Sequence, residues 1–336
     1  MKNHSSNLLV IGSVAYDSIE TPFGKADKAL GGSATYFSLA ASYFVKPSVV
    51  AVVGEDFNSF DVFKKKQIDV SGIQKQKGKT FHWAGKYHFD LNTRDTLKTS
   101  LGVFADFKPK LNDIQQSAEY IFLGNIHPSL QLDVLKQIKQ PKLVGLDTMN
   151  LWIETALPDL KKILKMINVF VINDSEARQL TKEHNVYKAA KKILGMMAQK
   201  NKTLIIKRGE YGLLLFSRPS SLRGEAQHTT KQSLKDNRLL RSARSDEQNN
   251  QIFHLPGLPL EDVTDPTGAG DSFAGGLFGY LAMKDKITID DLKQACVRGT
   301  AMASFSVQNF GTKALENLKK SQIERRVKEL HNLVKL

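Results

Sequence analysis

Residues 265–271, Asp-Pro-Thr-Gly-Ala-Gly-Asp, hold the residue types that phosphate chemistry needs, in an order that brings them together. The proline predicts a turn, and Gly268 and Gly270 allow a ligand to approach the main chain closely. Small and apolar residues recur at helical spacing from Ala269 onward, which predicts a buried helix whose first N–H groups can bind an anion. Asp271 lies in the first turn, where its carboxylate can accept a proton from a substrate hydroxyl beside a bound phosphate.

The longer run of residues 265–281 resembles the signature of the ribokinase-like carbohydrate kinases, the PfkB family. The resemblance implies that Asp271 is the catalytic base and that the backbone amides of Gly268, Ala269 and Gly270 form an anion hole. It also implies transfer of the γ-phosphoryl group of ATP to an alcohol, with Mg²⁺ bridging the nucleotide phosphates. A glycine-rich turn beside an acidic residue is also a common structural device, so the rest of the chain must be considered.

Two segments near the N-terminus resemble the parts of this family that bind the phosphate acceptor. The apolar run of residues 8–13 has the pattern of a buried parallel strand, and Asp17 follows it, near the strand end where α/β sheets bind ligands. By resemblance Asp17 holds substrate hydroxyls; the alternative is an aspartate in a surface loop. Gly31 and Gly32 match a signature whose two glycines contact the sugar. Many sugar kinases have an asparagine where this chain has Tyr36, so we expect a nucleoside or a less common polyol to be preferred over free ribose or fructose.

Two pairs of residues match cation sites of the family. Asn173 and Glu176 fit its Asn-x-x-Glu motif, which implies that they hold Mg²⁺ and phosphate, mostly through water. The alternative is only a helix capped by Asp174 or Ser175. Asp265 and Thr267 match positions that, in some relatives only, lie near a monovalent cation such as K⁺.

Residues 203–216 read as two strands around a glycine turn. Family members present a similar turn near the nucleotide phosphates, which makes Lys207 and Gly209 candidate ATP contacts; an exposed lysine at a strand end is the alternative. Residues 147–152 partly resemble the Asp-x-Asn-x-Arg segment of sugar kinases, but the spacing is one residue longer and Trp152 replaces the arginine.

Buried strand patterns alternate with helical patterns along most of the chain, which predicts a largely parallel sheet. Together with the resemblance, this predicts a single domain over residues 1–336, a ribokinase-like three-layer α/β/α sandwich with a small β-strand lid. The lid is expected from residues 14–30 and 79–106, because residues 80–91 alternate with period two and carry an aromatic row. The same row is also compatible with a homodimer surface. Residues 218–251 have few apolar side chains and are interpreted as a flexible insertion.

Composition limits the classes of function. The chain has 336 residues, a formal net charge of +14 and a single cysteine, Cys296, so neither an intrachain disulfide nor a cysteine-based zinc cluster is expected. The lysines and arginines are dispersed through predicted helices without a nucleic-acid-binding signature, so their charge is better suited to attracting ATP and phosphorylated metabolites. With no membrane-spanning run and no secretory signal recognised, a cytoplasmic location is expected.

The sequence therefore predicts an ATP-dependent kinase that phosphorylates a hydroxyl of a small sugar-like substrate. A nucleoside kinase of the same fold is the first alternative. A catalytically silent sugar-binding or regulatory protein is the second, and the retained Asp271 argues against it.

Overall fold

The computed structural model describes residues 8–218, 244–245 and 251–334. In chain order its strands are β1 (Leu8–Ile11), β2 (Ala15–Thr21), β3 (Gly24–Gly31), β4 (Ser48–Gly54), β5 (Asp69–Gln76), β6 (His82–Tyr87), β7 (Arg94–Ser100), β8 (Tyr120–Leu123), β9 (Leu143–Asp147), β10 (Val169–Asn173), β11 (Lys202–Lys207), β12 (Leu213–Arg218), β13 (Arg244–Ser245) and β14 (Gln251–Leu255).

The helices are α1 (Ser33–Ala41), α2 (Phe60–Lys65), α3 (Asp113–Gln116), α4 (Pro128–Gln137), α5 (Asn150–Thr155), α6 (Leu157–Leu164), α7 (Asp174–Thr181), α8 (Val186–Met196), α9 (Ala269–Leu281), α10 (Ile289–Ser306), α11 (Lys313–Glu316) and α12 (Lys320–Leu333). Short 3-10 turns cover Gly102–Asp106 and Gly209–Tyr211.

The main sheet has the strand order β13-β14-β12-β11-β10-β9-β8-β1-β4-β5. All neighbours from β11 to β5 pair in parallel, whereas β12, β13 and β14 add an antiparallel edge. The parallel strands are short apolar runs because helices cover both of their faces. The carboxyl ends of these strands consequently share one edge of the sheet, where ligands of such folds bind.

Alternate residues of each central strand enter two separate apolar cores, one on each face of the sheet. In β1, Leu8 and Val10 belong to the core under α1, α9 and α10, while Leu9 and Ile11 belong to the core under α6 and α8. Phe122 anchors the first core, with its ring centroid 4.7 Å from Phe37 and 5.0 Å from Phe278. This arrangement confirms the predicted three-layer α/β/α sandwich.

A second sheet of four strands, in the order β3-β2-β6-β7, lies in the two segments from which a lid was expected. Its parallel pairing of β2 with β6 joins the two segments into one sheet. Asp90 tightens the turn between β6 and β7 by accepting the backbone N–H groups of Asn92 and Thr93. Strand β7 begins at Arg94, directly after this turn, and the 3-10 turn Gly102–Asp106 follows the strand.

Most of the predicted insertion, residues 218–251, lies outside the described residues. The two strands that flank it do pair: Phe216 faces Ile252 and Ser217 faces Gln251 in antiparallel register. Across the described ranges, 8–218, 244–245 and 251–334, no helix is long and apolar enough to cross a bilayer.

Helices α1 and α9 approach each other closely because α9 carries glycine where the two meet. A Cβ atom on Gly275 would lie 2.2 Å from the backbone oxygen of Phe37 and 2.9 Å from Cβ of Ala40. Real side chains do not make contacts that short, so the spacing of the two helices depends on Gly275.

We expect Gly275→Ala to lower the free energy of unfolding by about 1–3 kcal/mol, because the added methyl group forces α1 and α9 apart. Gly195→Ala is the matched control, since a Cβ there meets nothing within 4 Å in α8. Alanine is the better helix former, so the control should gain roughly 0.5–1 kcal/mol. Urea unfolding of both variants measures the difference, and equal effects would contradict this account of the helix contact.

Candidate active site

Three polar residues end three neighbouring strands of the main sheet. Asp147 ends β9, Asn173 ends β10 and Lys207 ends β11. In the parallel register Asn173 lies beside Lys207, and Asp147 lies beside Val171. The strand interiors are apolar, so these side chains are the first polar groups available where the strands leave the sheet.

The N-terminus of α9 faces this edge. Gly268 is the N-cap, in the left-handed region with φ 75°, and a Cβ there would lie 2.4 Å from the Tyr36 ring, so glycine is required. The N–H of Ala269 donates to the carbonyl of Pro266 at 3.2 Å. The sequence predicted a hole of three amides; here those of Gly268 and Gly270 are the two without a partner among the described residues.

Lys207 lies directly against this helix terminus. Its Nζ is 3.4 Å from Oδ2 of Asp147 and would be 2.7 Å from a Cβ on Gly270. Burial alone would lower the pKa of Lys207, but the charges of Asp147, Glu176 and Asp271 outweigh it, and the net shift is upward. The ammonium group therefore stays protonated beside the amides that are predicted to bind phosphate.

Asp265 holds the loop that precedes α9. One carboxylate oxygen accepts the N–H of Thr267 at 2.8 Å, and the other accepts the N–H of Gly311 at 3.0 Å. The Thr267 hydroxyl in turn donates to the hydroxyl of Tyr87 in β6, at 3.1 Å. The small sheet is thus docked on the loop of the candidate anion site. Both Asp265 oxygens are engaged by amides, and the K⁺ implied by some relatives stays a prediction.

Asp271 is a partly buried carboxyl in the first turn of α9. Burial, and next the negative charge of Asp147, raise its pKa to about 7, while the charges of Lys207 and Arg94 oppose the shift. A carboxylate whose pKa lies near neutrality is suited to accept a proton and later release it. The structure therefore gives Asp271 the electrostatic properties of a general base.

Asp17 lies in the middle of β2, within the segment that was expected to form the lid. Its carboxylate covers Gly31, where a Cβ would be 1.9 Å from Oδ2, and it lies next to Gly32, the N-cap of α1. Burial, and next the charge of Asp265, raise the pKa of Asp17 to about 7. The chain passes from the main sheet directly into the small sheet, so Asp17 is a strand residue and not the surface-loop aspartate of the alternative.

Tyr36 lies in the first turn of α1, and its ring packs on Gly268. The residue is 1% exposed, and its hydroxyl has no hydrogen-bond partner among the described residues. Burial, and next the charges of Asp17 and Asp265, raise its pKa well above the usual value. The Tyr36 ring is therefore packed inside the protein, and its hydroxyl is neutral.

Asn173 and Glu176 form a capping box at the start of α7. Glu176 N–H donates to Oδ1 of Asn173 at 2.7 Å, and Asn173 N–H donates to Oε2 of Glu176 at 3.1 Å. The helix is therefore capped by this pair and not by Asp174 or Ser175, and one Glu176 oxygen has no partner among these bonds. Burial, and next the charge of Asp147, raise the pKa of Glu176 to about 7.

The residues present fit a water-mediated Mg²⁺ site. Within the described ranges no three His, Cys, Asp or Glu side chains group closely enough to hold a metal by themselves. A buried carboxyl such as Glu176 is stabilised in its ionised form by a nearby cation. Mg²⁺ characteristically keeps several waters and binds one or two carboxylates together with substrate phosphates. Bound in this way, Mg²⁺ would neutralise charge on the nucleotide phosphates.

Sequence reasoning missed three residues at this site. Asp147 was part of a weak motif match, yet it is the ion-pair partner of Lys207. Tyr87 and Arg94 come from the small sheet, and the positive charge of Arg94 acts on both Asp271 and Glu176. The sequence did contain a signal for Arg94, since it is an arginine directly after the turn of the predicted lid hairpin.

Gly209, the remaining predicted contact, begins the 3-10 turn after β11. The tip of the small sheet reaches this turn, where Asn92 Nδ2 donates to Oε2 of Glu210 at 3.3 Å. The small sheet therefore touches both the loop before α9 and the turn that was predicted to lie near the nucleotide.

Known proteins share both sequence and fold with this chain. A family model described as "pfkB family carbohydrate kinase" matches residues 5–318. The chain is 28% identical over 287 residues to a cytidine kinase of Thermococcus kodakarensis, a match that covers 82% of this chain and 88% of that protein.

Solved structures with the same fold include a Methanocaldococcus jannaschii nucleoside kinase, with TM-score 0.67 and 18% identity over 96% of this chain and 98% of that one. The ribokinase of Giardia lamblia superposes with TM-score 0.73 and 15% identity, over 97% and 99% of the two chains. At these identities the structures establish the fold, and the family match spans nearly the whole sequence. On that evidence the chain is a kinase that belongs to the pfkB family of carbohydrate kinases.

Proposed function

We propose that this kinase transfers the γ-phosphoryl group of ATP to a hydroxyl group of a nucleoside, with Asp271 as general base. The observation that carries the proposal is the partly buried Asp271, with a pKa of about 7, in the first turn of a helix whose N-terminal amides include two without partners among the described residues. Phosphoryl transfer depends mainly on positioning and on stabilising the charge of the equatorial oxygens. The N-terminus of α9 is built for both tasks.

In the proposed reaction the acceptor lies between Asp17 and Asp271. Asp17 accepts hydrogen bonds from substrate hydroxyls, and Asp271 takes the proton of the hydroxyl that attacks phosphorus. The bond from γ-phosphorus to the bridging oxygen of ADP breaks as the new phosphorus–oxygen bond forms. The free amides of Gly268 and Gly270 stabilise the equatorial oxygens of the phosphoryl group. Gly209 and Lys207 are proposed ATP contacts, and Asn173 and Glu176 hold Mg²⁺ through water.

The acceptor is proposed from Tyr36 and from the named relatives. Tyr36 stands where many sugar kinases use asparagine, and its buried hydroxyl has no partner in the described part of the chain. A single hydroxyl cannot replace the paired donor and acceptor that an asparagine gives to vicinal sugar hydroxyls. The cytidine kinase and nucleoside kinase relatives favour a nucleoside. A free sugar or polyol is the second candidate, which the ribokinase fold favours.

Other expectations stay predictions. They are activation by K⁺ at Asp265 and Thr267, a homodimer formed through the small sheet, the lid role of that sheet, and a cytoplasmic location. The alternative of a catalytically silent sugar-binding protein is tested together with the proposal.

The proposal is tested by measuring ADP release from Mg·ATP with cytidine, adenosine, ribose, fructose and inositol as separate acceptors. We expect the highest kcat/KM with a nucleoside. The highest value with a free sugar or inositol would replace the nucleoside by the second candidate. No turnover above ATP hydrolysis with any member of a wider alcohol panel would favour the silent protein.

Asp271→Asn should lower kcat roughly 10²- to 10⁴-fold with the best acceptor, because asparagine keeps the shape but cannot take the proton. ATP binding, measured by calorimetry, should be retained. Asp133→Asn is the control, since Asp133 is an exposed residue paired with Lys136 on α4. A kcat of Asp271→Asn within a few-fold of the parent would exclude Asp271 as the base.

Tyr36→Phe separates a ligand-binding role of the hydroxyl from a structural one. Removing a buried hydroxyl without a partner should leave the unliganded protein equally stable or more stable, by about 1 kcal/mol. The same change should lower kcat/KM for the nucleoside roughly tenfold, whereas Tyr36→Asn should improve ribose relative to the nucleoside. Unchanged kinetics in both variants, or efficient use of ribose by the parent, would show that Tyr36 does not select the acceptor.

Burial of Asp17, Glu176 and Asp271 predicts how stability depends on pH. Each pKa is about 7 in the folded protein, above the ordinary value near 4, so between pH 4 and 7 the folded state binds more protons than the unfolded chain. Their contribution to the free energy of unfolding is therefore greatest at low pH and is lost as pH rises through about 7. Asp271→Asn should raise the melting temperature of the unliganded protein more at pH 8 than at pH 4.5, and Asp133→Asn should not. Equal shifts at both pH values would contradict the raised pKa.

A further inference from the structure

The side chain of Lys207 does not lie on the turn that was predicted to be near the nucleotide. Its ammonium group lies over Gly270, on the main-chain surface of the candidate anion hole, rather than over the 3-10 turn that begins at Gly209. Strand β11 directs it there, because Lys207 is the last residue of the strand and is in register with Asn173 of β10. Only 21% of its side chain is exposed.

The partner of Lys207 is a carboxylate that is itself held in place. Asp147 has a side chain 8% exposed, and its Oδ1 accepts the N–H of Thr148 at 2.8 Å. Its Oδ2 is 3.4 Å from Nζ of Lys207, longer than the 2.7–2.9 Å of a well-formed charge-assisted hydrogen bond. The ammonium group is therefore loosely held by Asp147, and it has donors left for another oxygen on the side of Gly270.

An ammonium ion beside two free amides suits the part of the nucleotide that carries the most charge. The terminal phosphate of ATP has three non-bridging oxygens, whereas one oxygen of Asp147 is the Lys207 partner in this structure. A phosphate seated on the amides of Gly268 and Gly270 would bring an oxygen next to Nζ. The exchange of Asp147 for phosphate then needs a change of side-chain rotamer and no movement of the main chain.

We propose that Lys207 binds the γ-phosphoryl group and that Asp147 is the counter-ion that holds this lysine over the anion hole until the phosphate arrives. The inference deepens the proposed function and rests on ATP being the donor. Lys207 keeps its proton throughout, so no proton or covalent bond is transferred through it. It stabilises charge on the phosphoryl oxygens while Asp271 takes the proton of the acceptor. Asp147 acts through Lys207 and is a positioning residue that competes with phosphate.

The test compares the affinities for ATP and for ADP, measured by calorimetry without acceptor. The proteins compared are the parent, Lys207→Met, Lys207→Gln, Asp147→Asn and the double variant Asp147→Asn/Lys207→Met. Lys207→Met should weaken ATP binding roughly tenfold to a hundredfold and ADP binding by less than twofold, because ADP lacks the γ-phosphate. Lys207→Gln, which keeps a polar contact to Asp147, should show the same selective loss. Asp147→Asn should strengthen ATP binding, since the lysine is released, and should have no further effect when Lys207 is Met.

Lys192→Met is the matched control, because Lys192 also pairs with a carboxylate, at 2.6 Å from Glu183, but is half exposed on α8. It should leave both affinities unchanged.

Equal losses of ATP and ADP affinity in both Lys207 variants, or an Asp147→Asn effect that persists in the double variant, would overturn the Lys207 assignment. Neither outcome would contradict the proposed kinase reaction. A parent that binds ATP selectively but phosphorylates no acceptor would refute the proposed function and not this assignment. A parent that binds neither nucleotide would refute both.

Discussion

The close contact between helices α1 and α9 is the constraint on which the site depends. Gly268 lies against the ring of Tyr36, and Gly275 lies against the backbone of Phe37, so the two helices can approach to within the reach of main-chain atoms. The first helix begins at the predicted substrate signature and the second at the predicted anion hole. Their contact therefore fixes the distance between the predicted site of the acceptor hydroxyl and the predicted site of the phosphoryl group that it would attack.

A second constraint is electrostatic. The described part of the chain brings five carboxyl groups to the site, those of Asp17, Asp147, Glu176, Asp265 and Asp271. The positive charges of Lys207 and Arg94 act on the carboxyl groups of Glu176 and Asp271. Burial of so many acids raises the pKa of three of them to about 7, at the expense of stability in the empty protein near neutral pH.

The same excess of negative charge has a direct functional meaning. The carboxylates of the site repel one another in the unliganded protein, and a cation or hydrogen-bond donors reduce this repulsion. The proposed substrates bring both, because metal ions come with the nucleotide and hydroxyl groups come with the acceptor. Arg94 adds a cation from the small sheet, next to the docking bond between Tyr87 and Thr267. The small sheet therefore brings both this docking bond and a positive charge to the site.

Local sequence patterns predicted the parts of this arrangement that local physics determines. The apolar strands and the start of α9 at Ala269 follow from side-chain burial and from free helix ends. Asp17 lies in the segment that was expected to form the lid, but the pairing of β2 with β6 was not predicted, because the pairing partner of a strand is a long-range property. Asp147 and Arg94 were not identified as site residues, since only the strand order and the docking of the small sheet bring them to Lys207 and Asp271. The bond between Ala269 and Pro266 depends on turn geometry that the residue types do not specify.

The measurement that tests the central claim most directly is binding of a planar phosphoryl mimic. Aluminium fluoride together with Mg·ADP forms, in the presence of the best acceptor, a charged plane where the transferring phosphoryl group would lie. The account predicts that this complex binds at least a hundredfold more tightly than Mg·ADP alone, and that the gain is largely lost in Lys207→Met and Asp271→Asn. If fluoride adds nothing to ADP binding in the parent, or if both variants keep the full gain, then the N-terminus of α9 is not a site for phosphoryl transfer.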